Sequence, residues 1–418
     1  MKKHAFILPL LCLAVFNGNA QTLTLEECQQ LARKNYPLTR QYELIDHTSA
    51  YSLENAGKSW LPQIAINGQA TYQSDVIHFP KTAQGPVFPT LSKDQYRISG
   101  ELTQLLYDGG NTRLNRSTTE AQSGLEKARL EEKLYQLNNR INNLYFGILL
   151  LNQQIIQNQL LQGDIKSGIK RTEAALQHGT VFRSQLNELR ANLLLAQQMQ
   201  TELLTARRNW LDILSAFTGQ TLDENTVLPE PPIPGRNNTI SRPELAVFEQ
   251  SRKLNELRQQ AISVKSRPRI SAFFQGSWGR PTFDIVSNEF GVFWIGGLRF
   301  SWNLGHLYTN RNDKKLIETD QKLIDLQKET FLFNTSLDTR LEEGEITKYL
   351  KLMETDEEIV LLRNEVKKAA AAQLENGVIT PHDFLIQVHA EDQAKQQYLL
   401  HKVSLLRAHY NLSYQSGK

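Results

Sequence analysis

Two halves of this chain repeat one another, and that duplication limits the fold more than any other feature. Lys58-Ser59-Trp60-Leu61-Pro62-Gln63-Ile64 returns as Lys265-Ser266-Arg267-Pro268-Arg269-Ile270. Leu106-Tyr107-Asp108-Gly109 returns as Ser301-Trp302-Asn303-Leu304-Gly305, and Trp210 to Gly219 as Leu405 to Gly417. Ala174-Ala175-Leu176-Gln177-His178-Gly179 returns as Ala371-Ala372-Gln373-Leu374-Glu375-Asn376-Gly377, with the two glycines 198 residues apart. That period is too long for a solenoid unit, so the repeat is a half-domain and the folded object is pseudo-symmetric.

Residues 1–20 read as an export signal. Lys2 and Lys3 supply the positive start, Ala5 to Phe16 is an apolar run too short to span a bilayer as a helix, and Gly18-Asn19-Ala20 offers a cleavage site before Gln21. Cys12 fits lipid attachment poorly, because Leu11 precedes it and apolar residues continue past it. The mature chain then keeps one cysteine, Cys28, and can form no internal disulfide. With 47 basic against 44 acidic residues, bulk charge does not recruit nucleic acid. No later run is long and apolar enough for a transmembrane helix. An exported chain of this kind is expected in the periplasm, outside the cell, or in an outer membrane as part of a β-barrel.

The helices are expected to be very long. Asn111 to Gln177 contains no proline and only isolated glycines, on the order of 100 Å as one helix. Tyr308 to Glu375 does the same in the second copy. Leu130, Leu134, Leu137, Ile141, Leu144, Ile148, Leu151 and Ile155 recur at three- and four-residue steps, a coiled-coil seam. Thr24 to Ser59 and Arg183 to Thr218 are half that length, so two short helices can pack end to end beside each long one. Thr24 and Glu27 form a capping box, and Pro37 predicts a kink or restart. In the second copy the short helices are Ser241 to Val264 and Pro381 to Tyr414. The expected layout is a first repeat, 21–220, with a β-hairpin at 61–108 and a helical-hairpin tip at 178–184. A proline-rich linker, 221–241, follows. The second repeat, 242–418, has its β-hairpin at 268–304 and its tip at 376–383.

Four segments alternate with period two. Ile64, Ile66, Tyr72, Ile98, Leu102, Phe274, Trp278, Trp294, Leu298 and Phe300 are expected on apolar, lipid-facing sides of the strands. Asn67, Gln69, Thr71, Arg97, Glu101, Gln275 and Arg299 are expected to face water. Tryptophans at strand ends fit the aromatic girdles of membrane barrels. Four strands cannot close a barrel alone.

Signal, duplication, two strands per half and long helical hairpins make the chain resemble the TolC-type outer-membrane channel family over essentially all its mature length. The tips add to the likeness: Gly179-Thr180-Val181-Phe182-Arg183-Ser184-Gln185-Leu186 and Gly377-Val378-Ile379-Thr380-Pro381-His382-Asp383-Phe384-Leu385. The second matches the family pattern of glycine, small or apolar residues, Ser/Thr and Asp; the first has Gln185 where the acid belongs. The resemblance implies an α+β fold, a long α-helical coiled-coil barrel plus a four-strand share of a trimeric 12-stranded transmembrane β-barrel. It implies a homotrimer in the outer membrane of a Gram-negative bacterium, extending into the periplasm. The partners implied are a periplasmic adaptor (membrane fusion) protein and an inner-membrane transporter, with outer-membrane lipid around the barrel. The function implied is the passive exit duct of a tripartite efflux pump or type I secretion system. A periplasmic or secreted coiled-coil scaffold without a pore competes; it explains the helices but not the amphipathic strands.

The tip residues Gly179, Val181, Phe182, Gly377, Val378 and Thr380 are the candidate adaptor contact. Ordinary turn chemistry accounts for the glycines, but exposed Val181, Phe182, Val378 and Ile379 would be unusual in a plain turn. Asp383 is the candidate periplasmic gate, since the resemblance implies a ring of acids there. Thr380-Pro381-His382-Asp383 also reads as an N-cap box, and the two readings are compatible. Ile386 stands where the family often has a second acid. His382 and His389 lie seven positions apart on one helix, about 10 Å, too far to share a metal. No Ser/His/Asp spacing, phosphate loop or cysteine cluster is present, so no enzyme, cofactor or metal site is expected.

Overall fold

Local signals set most of the helix boundaries. The computed structural model describes residues 22–78, 81–82, 85–86, 91–235, 239–284 and 287–417; the expected export signal and Cys12 lie outside them. Helix α1 (Leu25–Asn35) begins at the expected box: Glu27 N–H donates to Thr24 Oγ1 at 3.3 Å, and Thr24 N–H donates to Glu27 Oε2 at 2.8 Å. Pro37 cannot continue the hydrogen-bond ladder. A 3₁₀ turn (Pro37–Arg40) therefore separates α1 from α2 (Gln41–Lys58), and the expected first helix is two.

Strand β1 (Gln63–Tyr72) is followed by a minor pair, β2 (Lys81–Thr82) and β3 (Gly85–Pro86), and then by β4 (Asp94–Tyr107). Helix α3 runs unbroken over Asn111–Gln177, 67 residues, and α4 over Arg183–Thr218. The second half gives α5 (Glu244–Lys265), β5 (Arg269–Arg280), β6 (Gly291–Ser301), α6 (His306–Glu375) and α7 (Pro381–Ser416). Gly147 is tolerated inside α3 for a packing reason. A Cβ there would lie 1.7 Å from Cζ3 of Trp210, so the indole of α4 rests directly on the α3 backbone.

The main sheet is antiparallel with order β1-β4-β5-β6. Each hairpin pairs within its own repeat, and β4 pairs with β5 to join the repeats, Leu102 opposite Phe274 and Ile98 opposite Trp278. Strands β1 and β6 are the outer edges.

The chain forms two compact units, each drawing on both repeats. One comprises Met1–Thr39, Leu134–Ser241 and Thr335–Lys418; the other comprises Arg40–Lys133 and Arg242–Asn334. In the first unit Leu25, Cys28, Ile141, Tyr145, Phe146, Leu211, Leu214 and Tyr410 form one core cluster. Burial pushes the Cys28 thiol up to about 12, with the nearby Glu27 charge adding to the shift, so it is an unreactive core residue. A second cluster joins Ile165, Leu189, Phe384, Leu385 and Val388. The proline-rich linker is packed rather than free. Leu222 and Leu228 are buried in the first cluster, Tyr145 Oη–H donates to the Pro229 carbonyl at 2.6 Å, and Tyr410 Oη–H donates to that of Pro232 at 3.0 Å. In the second unit Ala121, Leu125 and Leu254 of α3 and α5 are buried together. The seam of α3 is inside, with Leu130, Leu134, Ile141 and Ile148 buried. On α6, by contrast, Leu316, Leu323, Leu326, Leu337 and Leu341 are exposed.

Candidate functional site

The sheet in the second unit sorts its side chains cleanly. Cross-strand partners share a face. Ile64 pairs with Leu102 and Leu102 with Phe274; Ile98 pairs with Trp278; Ala272 pairs with Leu298 and Ile270 with Phe300. Ile66, Tyr72 and Trp294 fall in the same register parity. All ten residues expected to face lipid thus lie on one face, and that face is bare: Ile64 is 76% and Leu298 72% exposed. Trp294 stacks on Phe274 with ring centroids 5.7 Å apart. A bulge between Leu105 and Tyr107 pairs Tyr107 with Ile270. It thereby moves Tyr107 to the apolar face, where simple alternation would not have put it.

The opposite face carries Asn67, Gln69, Thr71, Arg97, Glu101, Gln275 and Arg299, as alternation predicts. It also carries Phe273 and Phe293, which polar-face reasoning passed over. Each serves as a platform for an arginine. Arg299 Cζ lies 4.6 Å from the Phe273 ring centroid, and Arg97 Cζ lies 5.6 Å from that of Phe293, both in cation–π range. Arg299 also pairs with Glu101 at 2.9 Å.

In the first unit the helices end in two tips of the same backbone design. Gly179 has φ +72° and Gly377 φ +68°, the left-handed conformation that closes a helix. Thr180 N–H then donates to the Ala175 carbonyl at 3.0 Å, and Val378 N–H to that of Gln373 at 2.8 Å. The following caps differ. Thr380 Oγ1 accepts from Asp383 N–H at 3.2 Å, and Asp383 Oδ2 accepts from Thr380 N–H at 3.1 Å and from Thr380 Oγ1–H at 2.6 Å. These hydrogen bonds, the hydroxyl's first, hold the Asp383 carboxyl below its usual range. At the first tip Phe182 has no side-chain acceptor. Its N–H donates to Gln185 Oε1 at 3.0 Å, and Gln185 N–H donates to the Phe182 carbonyl at 3.1 Å.

Phe182 is 78% and Val378 70% exposed. Gly179, Gly377 and Thr380 are exposed, while Val181 is half-buried. The expectation of an exposed Ile379 is corrected: it packs on the cluster containing Leu374, Phe384 and Val388, because the turn past Gly377 directs it inward.

Polar contacts tie the two hairpins together near these tips. His382 Nδ1 lies 2.6 Å from Glu188 Oε1, and this hydrogen-bonded pairing raises the His382 pKa. His389 Nε2 lies 3.2 Å from Asn192 Oδ1. Arg171 Nη1–H donates to the Ala371 carbonyl at 2.9 Å. Deeper in the bundle Lys367 Nζ meets Asp164 at 2.8 Å and buried Glu391 at 3.3 Å, and Lys395 also pairs with Glu391. Burial pulls the Lys367 pKa down, but the two carboxylates outweigh it and leave it raised. Sequence reasoning missed this network. Its one legible signal was Glu391, an acid three residues past Val388 on the apolar stripe of α7. The histidines pair with residues of α4 and not with one another, and no group able to hold a metal occurs among the described residues.

A model of the outer membrane efflux protein family matches residues 30–220. No curated protein matches the sequence. Solved structures match across almost the whole chain. The Campylobacter jejuni CmeC outer membrane channel shares 16% identity at a TM-score of 0.66, over 94% of this chain and 85% of that one. The CusC channel shares 12% at 0.69, over 94% and 92%. The Neisseria gonorrhoeae MtrE outer membrane channel, in its open state, shares 14% at 0.66, over 94% and 89%. Over residues 30–220 the chain is similar to the outer membrane efflux protein family, and across almost its whole length it has the fold of these outer-membrane channels.

Proposed function

We propose that three copies of this chain form the exit duct of a tripartite efflux or type I secretion system, spanning the outer membrane and continuing into the periplasm of a Gram-negative cell. The observation that carries this reading is the one-sided sheet. Four strands with a bare apolar face and two open edges are unstable alone in water. Joining β6 of one copy to β1 of the next gives twelve strands with no edge, ten apolar side chains per copy toward lipid, and a polar interior. The exposed leucines of α6 support the same assembly, since they need a neighbour to cover them.

The tips serve as the contact for a periplasmic adaptor that also engages an inner-membrane transporter. Phe182 and Val378 are its apolar anchors, and Gly179, Val181, Gly377 and Thr380 shape the surface around them. Asp383 stands at the periplasmic mouth as the gate acid while capping its own helix. Opening follows from the adaptor's preference for the open state. Native mass measurement in detergent is expected to give three chains. Leu298→Arg should cost roughly 2–4 kcal/mol if it lies near the bilayer midplane and lower the trimer yield, whereas Asn67→Arg should assemble normally. A stable monodisperse monomer of the unmodified chain would sink the architecture.

A further inference from the structure

The two faces of the sheet differ in charge as well as in polarity. The apolar face holds one acid and one base, Asp94 and Arg280, paired with each other. The opposite face holds Arg97, Arg269 and Arg299 against the single acid Glu101, an excess of two positive charges per chain. We propose that this face is an anion-selecting surface, which in the closed barrel becomes two arginine rings that draw anionic cargo and anions through the duct. The inference rests on the proposed trimer and on this face lining its interior.

The geometry supports fixed rings rather than loose side chains. Arg97 is opposite Gly279 and Arg299 opposite Ser271 on β5. Those positions are eight residues apart, about 26 Å along a strand, so the levels are separated by more than a Debye length of about 10 Å at 0.1 M salt and act independently. At one level Arg299 lies over Phe273 and is held by Glu101. At the other, Arg97 lies over Phe293, whose ring is itself packed by Phe283 at a centroid distance of 4.7 Å. No carboxylate pairs with Arg97 among the described residues, so its full charge is available. Phenyl platforms hold the guanidinium groups in place without neutralising them. Charged rings of this kind set ion preference in pores.

The test is a bilayer recording of the purified trimer under a potassium chloride gradient. Asp383→Asn serves as a parallel background, so that any acid ring at the tips does not mask the result. In that background the chloride-to-potassium permeability ratio should exceed one. Arg97→Gln should lower it more than Arg299→Gln does, and the double variant, which leaves Arg269 against Glu101, should bring it to about one. Arg97→Lys should preserve it, and Glu101→Gln should raise it. A ratio unchanged in both Arg97→Gln and Glu101→Gln overturns the proposal. The underlying face assignment is read separately. Gln275→Cys treated with a membrane-impermeant charged thiol reagent should change conductance, with the core thiol of Cys28 out of reach. If it does not, the lining assignment has failed; if it does while the ratio ignores the arginines, only the selectivity inference has failed.

Discussion

The two hairpin tips make one turn by different means. Both place a glycine at positive φ with open space around its Cα, and both send a backbone amide back to the last helical turn. The second then caps its next helix with Thr380, Pro381 and Asp383, while the first manages with the Phe182 carbonyl and Gln185. The turn therefore needs the glycine and does not need the acid. What the repeats share is the backbone constraint. Where they diverge, at Asp383 against Gln185, the chemistry is free to serve something other than the turn.

The largest effect that separates turn from docking is expected at the exposed apolar anchors. Val378→Glu and Phe182→Glu should each abolish export in susceptibility assays while native mass measurement still gives a trimer. Full export by both variants would remove the docking role.

Backbone strain comes next. Gly179→Val and Gly377→Val should each cost roughly 1–2 kcal/mol of local stability, the penalty of a left-handed L-residue, because no neighbour adds a clash at either site. Hydrogen exchange at the two tips measures it, and unequal losses would break the equivalence of the turns.

Capping should separate the tips by less. Thr380→Ala is expected to cost about 1 kcal/mol in the first turn of α7. Phe182→Ser should stabilise the start of α4 by up to a similar amount, by supplying the acceptor that the first tip lacks. If Thr380→Ala leaves exchange in α7 untouched, the box contributes nothing there.

The smallest effect is pH-dependent. His382 gains a partner in Glu188, so its folded pKa is raised above the unfolded value. The contribution is then complete below the unfolded value of about 6.5 and is lost as pH rises through the folded one. Exchange protection at the start of α7 should fall slightly as pH rises through that window, and Glu188→Gln should flatten the profile.

Much of this molecule was legible from sequence because the deciding signals are local. The capping box at Thr24, the break at Pro37, the glycines at 179 and 377 and the uninterrupted span from Asn111 to Gln177 act within a turn or two of where they stand. Strand alternation is equally local, which is why all ten apolar strand residues share one face. Features that depend on distant partners were decided by tertiary structure alone. The β4–β5 pairing that joins the repeats, the bulge that moves Tyr107 across the sheet and the arginines lying on Phe273 and Phe293 each need a second strand to define them. The inward turn of Ile379 and the packed linker need a core to receive them. The Lys367–Asp164 pair joins residues 203 positions apart. No periodicity within a single helix can specify such a contact, because a buried charge is stable only where another segment of the fold brings its counter-charge.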